Sequence, residues 1–309
     1  PNWAEVVSWG APQARISMRA EGEGRVLEIG LDVSSAGRRT YRVNGTVRRK
    51  VSQVAGVLPS VLFTPDDLRI VKDSAERRRD ALDLLGDQLS PAYSAIRAEY
   101  ERTLRQRNAL LKEETLPAES MAAWTDRLVD LGSSLALHRM RLFERLAPAM
   151  SGVYSTLSGG ERLHVHYRSS FAGEMVSAEE DKQAVAELLR RKLEEKAAEE
   201  RARRVTVAGP HRDDITFEIE GREARAYGSQ GQQRSIALAW KLAEVHVTEE
   251  VTGGEPVLLL DDVMSELDES RRQALAAFVG ERVQTIITTT NLGYFDDELV
   301  RNALVVKLG

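Results

Sequence analysis

The 309 residues contain no cysteine, which excludes disulfides, thiolate zinc sites and a cysteine nucleophile. Histidine stops at five. Only His164 and His166 stand close together, and no third ligand of suitable kind follows them, so we read no metal site there. No apolar run is long enough to span a bilayer, and no leader pattern is visible. Basic residues are outnumbered by acidic ones, 43 to 48, for a net charge of −5. That balance excludes a histone-like nucleic-acid coat, while leaving room for a local basic face. Finally, Gly-x-x-x-x-Gly-Lys-Ser/Thr occurs nowhere, so the loop that commonly cradles nucleotide phosphates is missing.

What is present has the composition of a globular chain, 42% hydrophobic and 29% charged, long enough for one large domain or two ordinary ones. Charge is segregated. Between Val33 and Pro65 there is no acid, but Arg38, Arg39, Arg42, Arg48, Arg49 and Lys50 occur. Between Glu255 and Glu269 there is no base, but Glu255, Asp261, Asp262, Glu266, Asp268 and Glu269 occur. One region suits a polyanion and the other a cation; solvated loops and helix ends would give the same pattern.

Alternation predicts strands over 15–31 and 40–51, with turns at Gly22, Gly24, Gly37 and Asn44-Gly45. A buried strand is expected over 57–63, ended by Thr64-Pro65. Helix is expected over 66–83. From about 90 to 147 the pattern is helical throughout: one helix starts at Ser90-Pro91, and a second covers 118–147 and is ended by Pro148. These two read as an arm or lid on a sheet domain. Residues 163–167 alternate as a strand, and 178–203 form a charged helix. In the last third, strands at 214–219, 257–260, 283–288 and 303–308 alternate with helices at 232–247 and 270–280, which implies an α/β sheet.

The chemistry concentrates in that last third. The apolar strand Val257-Leu258-Leu259-Leu260 ends in Asp261-Asp262, which places two carboxylates at the C-terminal edge of a parallel sheet. In a P-loop NTPase the first such carboxylate serves Mg²⁺, and the second polarises the water that attacks the γ-phosphate. Ser265-Glu266-Leu267-Asp268 follows closely. About thirty residues upstream, Gly228-Ser229-Gln230-Gly231-Gln232-Gln233-Arg234 opens a helix whose free N–H groups suit phosphate oxygens. Each element alone is ordinary; their order and spacing are specific.

Together they resemble the ATP-binding-cassette (ABC-type) heads of the SMC kind, and more closely the RecF family of bacterial recombinational-repair ATPases. Val43-Asn44-Gly45, Leu62-Phe63-Thr64-Pro65-Asp66-Asp67-Leu68, Arg77-Arg78-Arg79 ahead of Leu82-Asp83, Tyr100 with Gln106-Arg107-Asn108, and Gly209-Pro210-His211-Arg212-Asp213-Asp214 also fit. The likeness runs from about residue 40 to the C-terminus.

The resemblance implies an α/β fold, an ABC-type, SMC-like P-loop ATPase head with an inserted α-helical lobe. The expected division is 1–86 and 204–309 for the head and 87–203 for the lobe. It implies ATP and Mg²⁺ as cofactors, and a cytoplasmic homodimer that sandwiches two nucleotides. Ser229, Gly231 and Gln232 would act in trans on the partner's γ-phosphate. Asp261 would hold Mg²⁺, Asp262 would position the attacking water, and Ser265 and Asp268 would couple the two sites. No histidine follows the next strand, so Thr289 or Thr290 is the expected γ-phosphate sensor. The segment from Phe63 to Leu68 is the candidate joint between lobes. Dimerisation would create a cleft for gapped, single-stranded and double-stranded DNA, with RecR and RecO as partners in recombinase loading. Arg38, Arg39, Arg48, Arg49, Arg77, Arg78, Arg79, Arg105 and Arg107 are the expected phosphate contacts.

One tempting motif is set aside. Leu157-Ser158-Gly159-Gly160-Glu161-Arg162 looks like a transporter signature, but it precedes a strand and is read as a turn. The first residue is Pro, and in this family the P-loop lies near the N-terminus. An upstream strand, P-loop and helix are therefore expected, and these 309 residues alone are expected not to hydrolyse ATP. Two alternatives remain: another SMC-like head, although the arm is too short for a long coiled coil, and a non-hydrolysing DNA clamp or adaptor.

Overall fold

The computed structural model describes residues 2–22, 24–49, 51–113, 118–173, 177 and 179–307. The chain forms two compact units, residues 1–57 and 58–309.

The first unit is an antiparallel meander of β1 (Gln13–Gly22), β2 (Arg25–Ser34), β3 (Arg39–Val43) and β4 (Thr46–Arg48), paired in that order. The strands predicted over 15–31 and 40–51 are these four; Lys50 lies outside the described residues. Asn44 and Gly45 have φ of 48° and 76°, the paired left-handed conformation that a two-residue hairpin requires. Asn44 Oδ1 also accepts from the Glu28 N–H at 2.8 Å. Asp32 takes Arg15 Nε at 2.6 Å and Arg42 Nε at 3.1 Å on its two oxygens. Those hydrogen bonds hold its carboxyl below the usual range.

The second unit runs β5 (Ser60–Phe63), α1 (Ala75–Leu89), α2 (Pro91–Leu110), α3 (Ala118–Ser158), β6 (Leu163–Arg168), α4 (Lys182–Glu195), α5 (Ala197–Arg203), β7 (Asp214–Ile219), β8 (Arg222–Glu223), α6 (Ala224–Tyr227), α7 (Gln230–Thr252), β9 (Val257–Asp261), α8 (Glu269–Arg282), β10 (Thr285–Thr288) and α9 (Asp297–Asn302). A parallel sheet has the order β10-β9-β5. Val61, Phe63, Leu258 and Leu260 are buried on one of its faces. On the other, Leu62 and Ile286 stay about half exposed, at 49% and 55%. β6, β7 and β8 form a separate antiparallel sheet.

Six expectations change. The helix expected over 66–83 is instead a short 3₁₀ turn, Pro65–Arg69, followed by α1 from Ala75. The chain breaks between them because Arg78 Nη1 takes the carbonyls of Ile70 and Asp73, at 3.0 and 2.7 Å. Pro148 does not end α3, which continues to Ser158. Beyond the proline, Met150 and Tyr154 are fully buried, and Ser151 Oγ donates to the carbonyls of Ala147 and Leu163. That burial offsets the hydrogen bond a proline removes.

The charged helix expected over 178–203 is two helices, α4 and α5, meeting at Lys196; Ala178 lies outside the described residues. The helix expected over 232–247 extends in both directions and is buried nearly all round. Ile236, Trp240 and Ala243 enter one apolar cluster with α3, while Leu238, Leu242 and Val245 enter another with the parallel sheet. The helix pair is thus no free arm, because α3 shares the core of α7. Residues 303–307 form no strand, and Leu304 and Val306 lie exposed instead of packing on the sheet; Leu308 lies outside the described residues.

A buried polar network ties the helices to the loop ahead of β7. Arg139 grips both oxygens of Asp83 at 2.8 and 2.7 Å, and its Nη1 donates to Pro210 O at 2.6 Å. The Tyr93 hydroxyl donates to the same Asp83. Arg78 holds Asp214 at 2.8 and 3.1 Å. Arg107 meets Glu200 at 2.6 Å and Thr206 at 2.7 Å. Asp213 accepts from Tyr167 and from the Ser170 N–H, both at 2.7 Å. Tyr100 donates to His211 Nδ1 at 2.7 Å, so His211 carries its proton on Nε2 and donates to Thr206 O at 3.1 Å. Burial pushes the His211 pKa down to about 4.

Truncation of Arg139 to alanine strands a buried carboxylate and is expected to cost about 3–5 kcal/mol. Removing Arg145, whose pair with Glu250 is exposed, is expected to cost no more than about 1 kcal/mol. Urea titration of both variants checks the contrast. For His211 the folded state resists protonation, so the unfolded chain binds more protons between about pH 4 and 6.5. Its contribution is complete above the unfolded value and is lost as pH falls. A His211→Gln variant keeps an acceptor and a donor without titrating. Wild type should lose about 2 kcal/mol relative to that variant between pH 7 and pH 5, read from paired unfolding curves.

Candidate functional site

β9 is the central strand of the parallel sheet, and the chain turns sharply where it ends. Asp262 has φ 49°, a left-handed conformation that an Asp tolerates better than most residues. The turn is held from β10: the Asp262 N–H donates to Thr288 O at 3.2 Å and to Thr288 Oγ1 at 3.1 Å. The Thr288 hydroxyl in turn donates to Asp261 Oδ1 at 2.6 Å. One threonine therefore holds the carboxylate of Asp261 and the backbone of Asp262.

This threonine is not the expected one. Thr289 spends its hydroxyl on its own turn, donating to Asn291 O and accepting from the Asn291 N–H. Sequence reasoning missed Thr288 because its role depends on register, Thr288 opposite Asp261, which no local pattern reveals.

The pair fits a divalent cation and an ordered water. Asp261 presents an exposed carboxylate beyond its bond to Thr288. Asp262 Oδ1 is buried and has no hydrogen-bond partner among the described residues. An orphaned buried acceptor is costly unless something occupies it.

The second element is the N-terminus of α7. Ser229 caps it: its Oγ accepts from the Gln232 N–H at 3.1 Å, and Gln232 Oε1 accepts from the Ser229 N–H at 2.9 Å. This reciprocal box leaves the Ser229 O–H exposed and uncommitted. Gln233 Nε2 anchors the preceding loop through the carbonyls of Ala224 and Gly228. At Gly231, an added Cβ would stand 3.1 Å from Arg271 Nη2, so the small residue lets α8 approach.

The turn after the carboxylates is chained to α7. Ser265 Oγ donates to Asp262 O at 2.8 Å. Arg234 of α7 donates to Glu266 O. Asp268 caps α8 by accepting from the Arg271 N–H at 3.1 Å, and it pairs with the Arg271 guanidinium. Arg271 Nε then donates to Ser235 Oγ at 2.8 Å. These contacts connect the turn after Asp262 to the first turns of α7.

The candidate joint is fastened to the same helix. Asp67 accepts from the N–H and hydroxyl of Thr64, at 2.8 and 3.0 Å. Across from it lies the buried Lys241, 3.7 Å from Asp67 and 3.2 Å from Glu244. Glu244 also accepts from Trp240 Nε1 at 2.6 Å.

The arginines divide. Arg78 and Arg107 are only 2% and 4% exposed, and their guanidiniums are consumed by Asp214 and Glu200. They are structural, and we remove them from the expected DNA footprint. Arg79 is partly buried and donates to Asp213 O at 2.6 Å. Arg77 pairs with Asp73 at 3.5 Å. Arg105 is exposed. In the first unit, Arg38, Arg39 and Arg49 are exposed and Arg48 is half-buried. None of those four has an ion pair among the described residues. Arg39 lies over the Trp3 ring at 4.9 Å.

His164 and His166 have ring centroids 6.4 Å apart. Among the described residues no group of three metal-ligating side chains occurs, and no helix is long and apolar enough to cross a membrane.

A search of family models found no match. Curated relatives are numerous. The chain is 40% identical to the DNA replication and repair protein RecF of Synechococcus sp. (strain JA-3-3Ab), over 98% of this chain and 81% of that one. It is 40% identical to RecF of Gloeobacter violaceus, with the same coverage. Among solved structures, the recombination mediator protein RecF–ATPrS of the RecFOR pathway superimposes with a TM-score of 0.86 at 29% identity. That match covers 94% of this chain and 79% of the other. The ATP form of the same mediator gives 0.84.

The cap of α7 yields a direct expectation. Ser229→Ala should cost about 1 kcal/mol of stability and Ser229→Gly only a few tenths, measured by thermal unfolding.

Proposed function

Because the chain belongs to the RecF family, and has that family's ABC-type, SMC-like head with an inserted helical lobe, we propose that it acts in recombinational repair as an ATP-driven, DNA-binding dimer. The observation that carries this reading is the continuous linkage from Asp262 through Ser265, Glu266, Arg234, Asp268 and Arg271 to the start of α7. It joins hydrolytic carboxylates to an N-terminus suited to phosphate.

In the proposed mechanism Asp261, oriented by Thr288, would hold Mg²⁺, which neutralises charge on the transferred phosphoryl group. The unpartnered Asp262 oxygen accepts a hydrogen bond from the attacking water and aims it. Ser229, Gly231 and Gln232 serve the partner's γ-phosphate, and the Ser229 hydroxyl is free to donate there. Ser265 and Asp268 carry the state of one site to the other. Thr289 or Thr290 would sense the γ-phosphate, with Thr288 bracing Asp261 beside them.

Residues 87–203 serve as the lobe of this head. No Gly-x-x-x-x-Gly-Lys-Ser/Thr phosphate loop occurs within these 309 residues. Alone, the 309 residues bind DNA without turning over ATP. The remaining DNA footprint is Arg38, Arg39, Arg48 and Arg49, with Arg77, Arg79 and Arg105. Sequence-independent phosphate contacts suit a protein that reads gaps, works with RecR and RecO, and aids recombinase loading.

Mixing tests the trans arrangement. In a polypeptide carrying its phosphate loop, Ser229→Arg and Asp262→Asn should each abolish ATP hydrolysis. In a mixed dimer both lesions fall on one site and leave the other intact, so the mixture should regain activity. Two inactive proteins that remain inactive when mixed, despite forming the mixed dimer, would contradict the reading. Separately, reversing Arg38 and Arg49 to Glu should weaken DNA binding and lower its salt slope by about 1 per lost phosphate contact.

A further inference from the structure

The loop Ser158-Gly159-Gly160-Glu161-Arg162 sits beside α7. Gly159 and Gly160 have φ of 71° and 110°, and they fold the chain back after α3. Glu161 is thereby brought against two groups. Its Oε2 accepts from the hydroxyl of Tyr154 at 2.8 Å. Its two oxygens also accept from Gln232 Nε2, at 3.0 and 3.2 Å. Tyr154 is fully buried in the core, so the carboxylate is held from a rigid base.

We propose that Glu161 is a positioning residue for the phosphate-facing start of α7, one that fixes the Gln232 amide and so the Ser229 cap. The argument is one of hydrogen-bond polarity. An ionised carboxylate only accepts, so it faces the NH₂ group of Gln232 and never its oxygen. With the NH₂ held there, Oε1 points to the Ser229 N–H and closes the box. Were the amide flipped, two acceptors would face each other at Glu161 and two donors at Ser229. With the box closed, the Ser229 Oγ accepts from the Gln232 N–H. The Ser229 N–H selects the same orientation from the other side, and the carboxylate of Glu161 reinforces it.

The trans role of Ser229 rests on the reading above; the orientation of the cap does not. Two measurements on Glu161→Gln therefore separate them, both in a polypeptide carrying its phosphate loop. Amide hydrogen exchange at Ser229 and Gln232 should quicken about tenfold, as expected for loss of a charge-assisted hydrogen bond, while exchange in the β9 and β10 strands stays unchanged. Exchange at the cap that matches wild type would overturn the positioning role, whatever the protein does with ATP. ATP-driven dimerisation should weaken in step, while ATP binding by the monomer is preserved.

A wild-type protein that fails to dimerise would sink the trans reading, and the exchange result would still decide the cap. The double variant Glu161→Gln with Gln232→Glu restores one acceptor and one donor in reversed places, so cap protection should return. Protection that stays lost would contradict the polarity argument, as would its return in a Gln232→Glu variant alone, where two carboxylates face each other.

Discussion

The clasp of Arg139 on Asp83 is the contact on which the second unit depends. Both groups are buried, and each alone would carry a heavy desolvation cost. They meet with two parallel hydrogen bonds, and the third donor of the guanidinium reaches Pro210 O. That carbonyl opens the stretch Pro210-His211-Arg212-Asp213-Asp214, and nearly every polar group there is taken by a different helix or strand. Tyr100 and Thr206 hold His211, Tyr167 and Ser170 hold Asp213, and Arg78 holds Asp214. The helical lobe is thus fixed to β7 by specific polar geometry as well as by the apolar core that α3 and α7 share. A buried network of this kind must keep every member paired, because each unpaired group would carry its desolvation cost.

Much of the head was legible in the sequence because its signals are local. A continuous apolar strand ending in two carboxylates states both its burial and its chemical edge, and the structure makes β9 central. Asn44-Gly45 specified a hairpin, and Gly228 to Arg234 marked the opening of a helix. What was not legible depends on partners distant in sequence. Pro148 reads as a terminator until Met150 and Tyr154 are seen to be core residues. The break before α1 is dictated by Arg78 reaching back to Ile70 and Asp73. Thr288 was overlooked for Thr289 because strand register, not sequence spacing, selects which hydroxyl meets Asp261.

The arginines show the same limit from the other side. Arg78 and Arg107 lie in conspicuous basic motifs, which suggested DNA. Their charge is spent inside the molecule, on Asp214 and Glu200. Motif residues such as Tyr100, Asn108 and His211 likewise turn out to build the network. Recurring polar residues in this chain therefore serve two ends, one internal and one at the edge of the parallel sheet. Burial separates the two where composition does not.

At that edge, the physical content of the account is a tether. Hydrogen bonds join the turn after the carboxylates to the start of α7, and in the proposed dimer this tether would let a nucleotide held by one copy be felt by its partner. The most direct measurement uses the absence of cysteine from these residues. A single Ser265→Cys, placed in a polypeptide that carries its phosphate loop and no other cysteine, reports whether two such turns meet. The account predicts a disulfide-linked dimer that forms with ATP and Mg²⁺ and not without nucleotide. A cross-link that ignores nucleotide, or none at all while ATP is bound, would contradict it.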